Sequence, residues 1–276
     1  MLASLFKEID NDFPSTEVIV VDGGSTDETT AVLKGYGSRI ASWISEPDKT
    51  VAEAVNKGIS RSRGEVLRLI GDDDEFLPGH FSFMLKYLED HPEIDVLIGH
   101  NKVFLEDEQG YLTFYPQVKL EGPIEFHDML KFPKRGIIIP ECSFFRRRIF
   151  EKIGPWDETF KYWGYFDYFM RITKAGGRMV AIPRVILTTY QTPESDSIRN
   201  NGNQRWSWEY YEVLRKHTNL YWILWHRFGG ELTPFTPLKW VGRKMCAAVG
   251  ICHPRLRLRN FIAKLRHQNT KNIRIR

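Results

Sequence analysis

The chain has 276 residues, 42% of them hydrophobic and 27% charged, with a formal net charge of +4. That composition describes a globular chain and excludes a low-complexity polymer, and no run approaches the roughly 18 consecutive apolar residues of a membrane-spanning helix. Cys142, Cys246 and Cys252 lack CxxC spacing, so they read as reduced thiols of a cytoplasmic protein and exclude both a disulfide framework and a zinc site.

Leu2, Leu5, Phe6 and Ile9 fall at helical spacing, and the acids among the first dozen residues do not fit a secretory signal. Residues 17–21 (EVIVV) predict a β-branched strand, followed by the loop Asp22-Gly23-Gly24-Ser25-Thr26 and a helix to about Tyr36. A short strand over 39–44, a loop around Pro47 and a helix over 51–62 come next. Residues 65–70 then form a short apolar strand that runs straight into Asp72, Asp73 and Asp74. A helix is expected over 78–89, a strand over 94–99, and a hairpin from 101–106 and 111–115. Short helices over 124–131 and 146–153, an aromatic-rich helix within 163–175, and strands over 178–182 and 185–190 complete an alternating pattern. That alternation predicts an α/β fold with a mainly parallel sheet sandwiched by helices, over residues 1–200.

Residues 201–276 predict a helical extension, with helices over 203–217, 220–228, 238–249 and 255–266. From Leu232 onward the chain carries 11 Lys or Arg and no acid, whereas the body before it is net acidic. The segment RLRLRNFIAKLR (255–266) interleaves cations with leucines, and two readings stand side by side. It can lie peripherally on an anionic membrane surface, at the inner face of the membrane, or it is a solvated basic helix covering the body. Nucleic acid is the weaker partner, because no reader motif accompanies the charge.

Three loops at strand ends carry short polar residues: 22–25, 46–48 and 72–74. Right-handed crossovers bring such loops to the carboxyl edge of a sheet, where ligands bind in open α/β folds. Gly23 allows close approach of backbone to a ligand. One or two of the acids at 72–74 suffice for Mg²⁺ on a diphosphate, since that ion keeps substrate oxygens and water among its ligands. The competing reading is an acidic turn that caps the next helix. No GxxxxGK, GxSxG or GxGxxG occurs, so P-loop, hydrolase and dinucleotide-binding readings lack support.

The blocks EVIVVDGGSTDET (17–29), WISEPDKTVAEAVNKGISRSRGE (43–65), LIGDDDEFLPG (69–79) and WDETFKYWGYFDYFMRITKAGG (156–177) together resemble a family-2 glycosyltransferase of the GT-A fold. The resemblance implies transfer of a sugar from a nucleotide-diphospho-sugar to an acceptor hydroxyl, on a glycan or a lipid-linked glycan, assisted by Mg²⁺ or Mn²⁺ and with inversion. Under it, Asp22, Gly23, Ser25, Asp48, Lys57 and Asp72 contact the nucleotide sugar, Asp73 binds the metal, and Asp167 is the catalytic base. Lys57 is equally readable as part of a helix C-terminus, and Asp167 as a brace paired with Arg171.

Four departures accompany the resemblance. The family's opening strand, like VSVIIPTYN, is absent ahead of the first helix, which is expected to leave two strand edges unpaired inside the sheet. Gly71 stands where the leading acid of the DxD motif is expected. Tyr165 falls at the family's base position, and Gln191-Thr192-Pro193 replaces a late RxH. These departures keep open a non-catalytic nucleotide-sugar-binding relative, and a nucleotidyltransferase of similar fold is the other alternative.

Overall fold

Leu5, Phe6 and Ile9, spaced on one helical face, are buried by the opening helix α1 (Leu2–Asp12). The computed structural model describes residues 1–12, 15–72, 74–107, 110–115, 120–131, 138–193, 204–219 and 223. The chain divides into two compact units, Met1–Val213 and Leu214–Arg276.

In the first unit, β1 (Ile19–Asp22) and β2 (Ser42–Ser45) pair in parallel, with α2 (Thr29–Tyr36) between them and α3 (Val51–Arg61) after them. α3 starts where Thr50 caps it, its hydroxyl accepting the Glu53 N–H at 3.2 Å. Next come β3 (Val66–Arg68), β4 (Asp74–Phe76), α4 (His80–Asp90), β5 (Val96–Glu106), β6 (Leu112–Tyr115), β7 (Gly122–Ile124) and α5 (Phe126–Met129). A single 3₁₀ turn, Pro140–Cys142, leads into β8 (Ser143–Arg146), α6 (Arg147–Ile153), α7 (Gly164–Lys174), β9 (Met179–Gln191) and α8 (Gln204–His217).

The larger sheet has the order β3-β8-β5-β9-β4, with β6 added on β5 and β7 on β9. It is mixed, which corrects the mainly parallel sheet expected from the alternation. Only β1–β2 and β5–β9 are parallel among the described pairings, and the other five are antiparallel. The reason lies in two short strands that apolar patterning does not reveal. β4 is drawn from the acidic stretch itself, and β8 from SFFR ahead of a helix. Both insert antiparallel between or beside strands that run the same way.

β5 and β9 are long because each merges two expected strands. Their register shifts between Ile98, His100 and Asn101, which is where the close approach of the two strands requires Gly99. A Cβ there would meet Ile186 at 2.9 Å. Val96, Leu97, Phe144, Phe145, Ile186 and Leu187 fill the core with the α7 side chains Phe166, Phe169, Met170 and Ile172.

β1–β2 forms a sheet of its own, so the three strand-end loops do not share one sheet edge. Among the described residues β1 pairs only with β2, and β3 only with β8. These are the two unpaired edges that the sequence led us to expect. The Glu17 carboxylate links the two segments at their starts, accepting the backbone N–H groups of Arg63 and Gly64, the latter at 2.9 Å.

In the second unit the described residues are 214–219 and 223, where the Thr218 N–H closes the end of α8 on the Leu214 carbonyl at 2.7 Å. The helices expected over 220–228, 238–249 and 255–266, with the membrane-facing segment, lie outside the described residues apart from Ile223. Among the described residues no helix is long and apolar enough to cross a membrane.

Candidate functional site

The parallel register Asp22↔Ser45 sets the carboxyl ends of β1 and β2 level, so their loops meet. Asp22, 8% exposed, is the centre of that meeting. It accepts the Ser25 hydroxyl at 2.5 Å, the Ser45 hydroxyl at 2.5 Å and the Ser25 backbone N–H at 3.1 Å. The Ser25 hydroxyl first, and then that of Ser45, hold its pKa below the ordinary carboxylate value. The site therefore presents a fixed, ionised carboxylate at neutral pH. Gly24 is left-handed at φ 85°, and a Cβ there would press on the Pro47 nitrogen at 3.2 Å. The double glycine thus lets the first loop lie against the second, and Asp48 closes over Gly23, whose Cβ position is 3.8 Å from Asp48 Oδ2.

Lys57 reaches into the same corner from α3. Its Nζ contacts Asp48, Glu46 Oε1 at 2.9 Å and Glu53 Oε1 at 3.0 Å. The hydrogen bond to Asp48, then that to Glu46, raises the pKa of this ammonium. Lys57 is therefore neither a helix cap nor an uncommitted cation. It knots three carboxylates beside the Asp22 loop. Its neighbour Asn56 ties α3 to residues 156–158, accepting the Trp156 N–H at 2.8 Å and donating to the Trp156 carbonyl at 3.0 Å.

The acidic stretch divides by position. Asp72 is exposed on the turn after β3, Asp73 lies outside the described residues, and Asp74 is only 3% exposed at the start of β4. Asp74 accepts the Thr189 hydroxyl at 2.9 Å and the Gly71 N–H at 3.3 Å, and Thr189 in turn accepts the Asn101 amide at 3.2 Å. Burial raises the Asp74 pKa, and the Thr189 and Gly71 hydrogen bonds partly offset that. Asp74 is thus the clasp of the acidic turn, a position that a hydrophobicity pattern does not mark.

Arg68, which the sequence reading passed over, anchors the other side of the turn. It is half-buried over the rings of Phe76, Phe81 and Phe144 and donates to the Glu141 carbonyl at 3.3 and 3.2 Å. Desolvation lowers its pKa to about 10, and burial lowers that of the adjoining His80 to about 3, so the pair holds one charge at neutral pH. Only Arg68's unusual place at a strand end, before an acidic turn, could have signalled it.

Asp22, Gly23, Ser25, Asp48 and Lys57 are thus brought together, while Asp72 stands on a separate turn. Asp167 belongs to neither. It is fully enclosed on α7, with Oδ2 3.6 Å from Arg171 Nε, and Arg171 donates to the Pro155 carbonyl at 2.9 Å. As placed here Asp167 is braced by Arg171, and service as the catalytic base would require the residues around it to open to an acceptor hydroxyl. Half-buried Tyr165, to which the resemblance assigned the base position, has its phenol pKa pushed up by burial and stays protonated at neutral pH.

Comparison with known proteins bears on the family and the fold. The model of the family described as glycosyl transferase family 2 matches residues 1–154. An uncharacterized glycosyltransferase of Rickettsia typhi is 26% identical over 205 residues, covering 73% of this chain and 62% of the relative. A PGL/p-HBAD biosynthesis glycosyltransferase of Mycobacterium bovis is 23% identical over 193 residues, covering 68% of this chain and 69% of that one. The chain spans 50 to 62% of the length of the first curated relatives it matches. Among solved structures, Staphylococcus aureus TarS in complex with UDP-GlcNAc superposes with a TM-score of 0.59 at 17% identity, over 78% of this chain and 60% of that one. TarS residues 1–349 in complex with UDP give 0.55 at 19% identity, over 84% and 62%. The fold is that of the GT-A glycosyltransferases, with the mixed sheet described above. With the family model covering more than half of its length, the chain belongs to glycosyl transferase family 2.

Proposed function

We propose that the chain binds a uridine-diphospho-sugar at the Asp22 corner and transfers the sugar, with inversion, to a hydroxyl of a glycan or lipid-linked glycan. The observation that carries the reading is the Asp22 carboxylate, held ionised by Ser25 and Ser45 where two parallel strand ends meet. A carboxylate at such a place accepts N–H and O–H donors, which a uracil and a ribose supply. The UDP and UDP-GlcNAc bound by TarS support the choice of nucleotide.

We further propose a divalent cation of the Mg²⁺ or Mn²⁺ type, for which the donor would supply most of the ligands. Among the described residues no group of three or more His, Cys, Asp or Glu could hold a metal by itself, and Asp74 is committed to Thr189 and Gly71. Asp72, exposed on the turn, and Asp73 are the carboxylates that would hold the ion against the diphosphate. Bound there, it supplies Lewis-acid stabilisation of the leaving diphosphate. Asp74 and Arg68 keep the turn at the end of β3, and Lys57 keeps Asp48 against Gly23.

A second reading is favoured by two specific observations: Gly71 in place of an acid, and the enclosure of Asp167. Under it the chain binds the nucleotide sugar without transferring it. Calorimetric titration with UDP in the presence of Mn²⁺ separates the cases when followed by an assay of donor turnover. Binding that weakens at least tenfold in Asp22→Asn supports the site. Absence of UDP binding to the native chain sinks both readings, and binding without turnover leaves the second.

A further inference from the structure

The solvated face of the large sheet carries a row of aromatic side chains directly beside the acidic turn. Register places Phe114 of β6 opposite Phe104 of β5, and Phe104 beside Tyr190 of β9. The Phe104 and Tyr190 rings lie 5.9 Å apart at 20°, and Phe114 meets Phe104 at 5.8 Å and 61° as a raised side wall. The Tyr190 hydroxyl donates to Glu75 Oε2 on β4 at 2.9 Å. Glu75 follows Asp74 immediately, but side chains alternate along a strand. Asp74 therefore clasps the turn from the buried face while Glu75 stands on the open one. Four neighbouring strands are crossed by this row, a span of about 14 Å from the ordinary strand spacing.

We propose that Phe104, Phe114 and Tyr190, ended by the Glu75 carboxylate, form the platform on which a neutral pyranose of the glycan acceptor rests; the proposal builds on the glycosyl-transfer reading above. A pyranose offers an apolar C–H face and a rim of hydroxyls, so it needs a ring surface with hydrogen-bond acceptors at its margin. The row has both. Phe114 is 50% exposed, and Glu75 spends one lone pair on Tyr190 out of the roughly four a carboxylate has. A lipid tail or an apolar protein surface fits less well. Lys102 and Glu106 alternate with Phe104 on the same face of β5, and burying those charges unpaired under an apolar partner costs several kcal/mol or more. The position next to the acidic turn is where an acceptor must lie to meet a donor sugar held by its diphosphate.

Saturation-transfer NMR and titration of the full chain with cellotetraose, chitotetraose, maltotetraose and mannotetraose, each at millimolar concentration, test the platform. At least one is expected to bind, with the C–H face protons receiving most of the saturation. Phe114→Ala should weaken that binding about five- to tenfold and Phe114→Tyr should restore it, while Glu75→Gln weakens it several-fold. Val32→Ala, on the exposed surface of α2, should leave it unchanged. Affinity for UDP should stay the same in all four variants. Binding of none of the four sugars, or binding indifferent to Phe114→Ala and Glu75→Gln, overturns the proposal. So does a change of oligomeric state in Phe114→Ala without sugar binding, which would assign the row to a second copy of the chain. Sugar binding without UDP binding sinks the donor reading and leaves the platform standing.

Discussion

The Asp74 carboxylate accepts the Thr189 hydroxyl at 2.9 Å, across the antiparallel pair β4–β9, and through its second oxygen holds the Gly71 N–H at 3.3 Å. One buried side chain thus holds Gly71, the residue before exposed Asp72. Breaking the clasp from the strand side should be measurable. Thr189→Val keeps shape but leaves a buried acceptor short of a donor, and should cost about 1–3 kcal/mol in urea unfolding. The pH dependence has a definite sign. Because burial raises the folded-state pKa of Asp74, the native chain holds that proton more tightly than the unfolded one. Stability therefore falls as pH rises from about 4 through the raised value, and Asp74→Asn should lack this component. A difference in melting temperature between native and Asp74→Asn that is flat across this window would refute the assignment.

Lys57 makes a second prediction of opposite chemistry. One ammonium sits among Asp48, Glu46 and Glu53, so Lys57→Met leaves three like charges facing one another. Unfolding should become easier, and the loss should be larger at low than at high ionic strength, because salt screens the exposed members of the group. With the folded-state pKa of Lys57 raised, the stabilisation is fully present below the ordinary lysine range and is lost only as pH climbs through the higher folded value. An equal loss at both ionic strengths would mean that packing of the lysine stem, rather than charge, matters here.

How much of this was legible in the sequence depends on whether a residue acts through pattern or through pairing. The helices α1 and α3 follow from apolar spacing, and β1 from a β-branched run closed by glycines. The Asp22 corner was legible because glycines and short polar residues after a strand imply a loop built for close approach. What escaped was set by partners distant in the chain. β8 exists because SFFR finds β3 on one side and β5 on the other. Asp74 is separated from Asp72 in role by the presence of Thr189, 115 residues away. Asp167 sits in a block that resembles the family's later motif, yet its neighbours enclose it, and enclosure has no signature in a single sequence.

That enclosure yields a third prediction. Asp167→Asn removes the charge but not the volume beside Arg171, 3.6 Å away. The loss should fall on stability, at about 1–3 kcal/mol given that Arg171 keeps its Pro155 carbonyl contacts. UDP affinity and the pH profile of any donor turnover should be unchanged once the variant is assayed below its melting temperature. A collapse of turnover with the melting temperature intact would return Asp167 to the role of base.

The two unpaired strand edges give the last prediction. β1 uses only its β2 side and β3 only its β8 side among the described residues, and Ile19, Val20, Val21 and Val66 are only half-buried there. Free edges bearing apolar side chains are the usual template for added strands. A segment that is extended and β-branched, such as VSVIIPTYN, can pair with both edges if it runs parallel to β1. It would then join the two sheets into one and bury the open faces of those valines. Joined in frame ahead of Met1, or supplied as a peptide, it should raise the melting temperature by several degrees and reduce aggregation. Hydrogen exchange should slow at the amides of β1 and β3 together, since a strand seated between them protects both edges at once. Protection at β1 alone would show a strand added to the outside of the small sheet, and no protection at either would show that the two edges are not spaced to receive one.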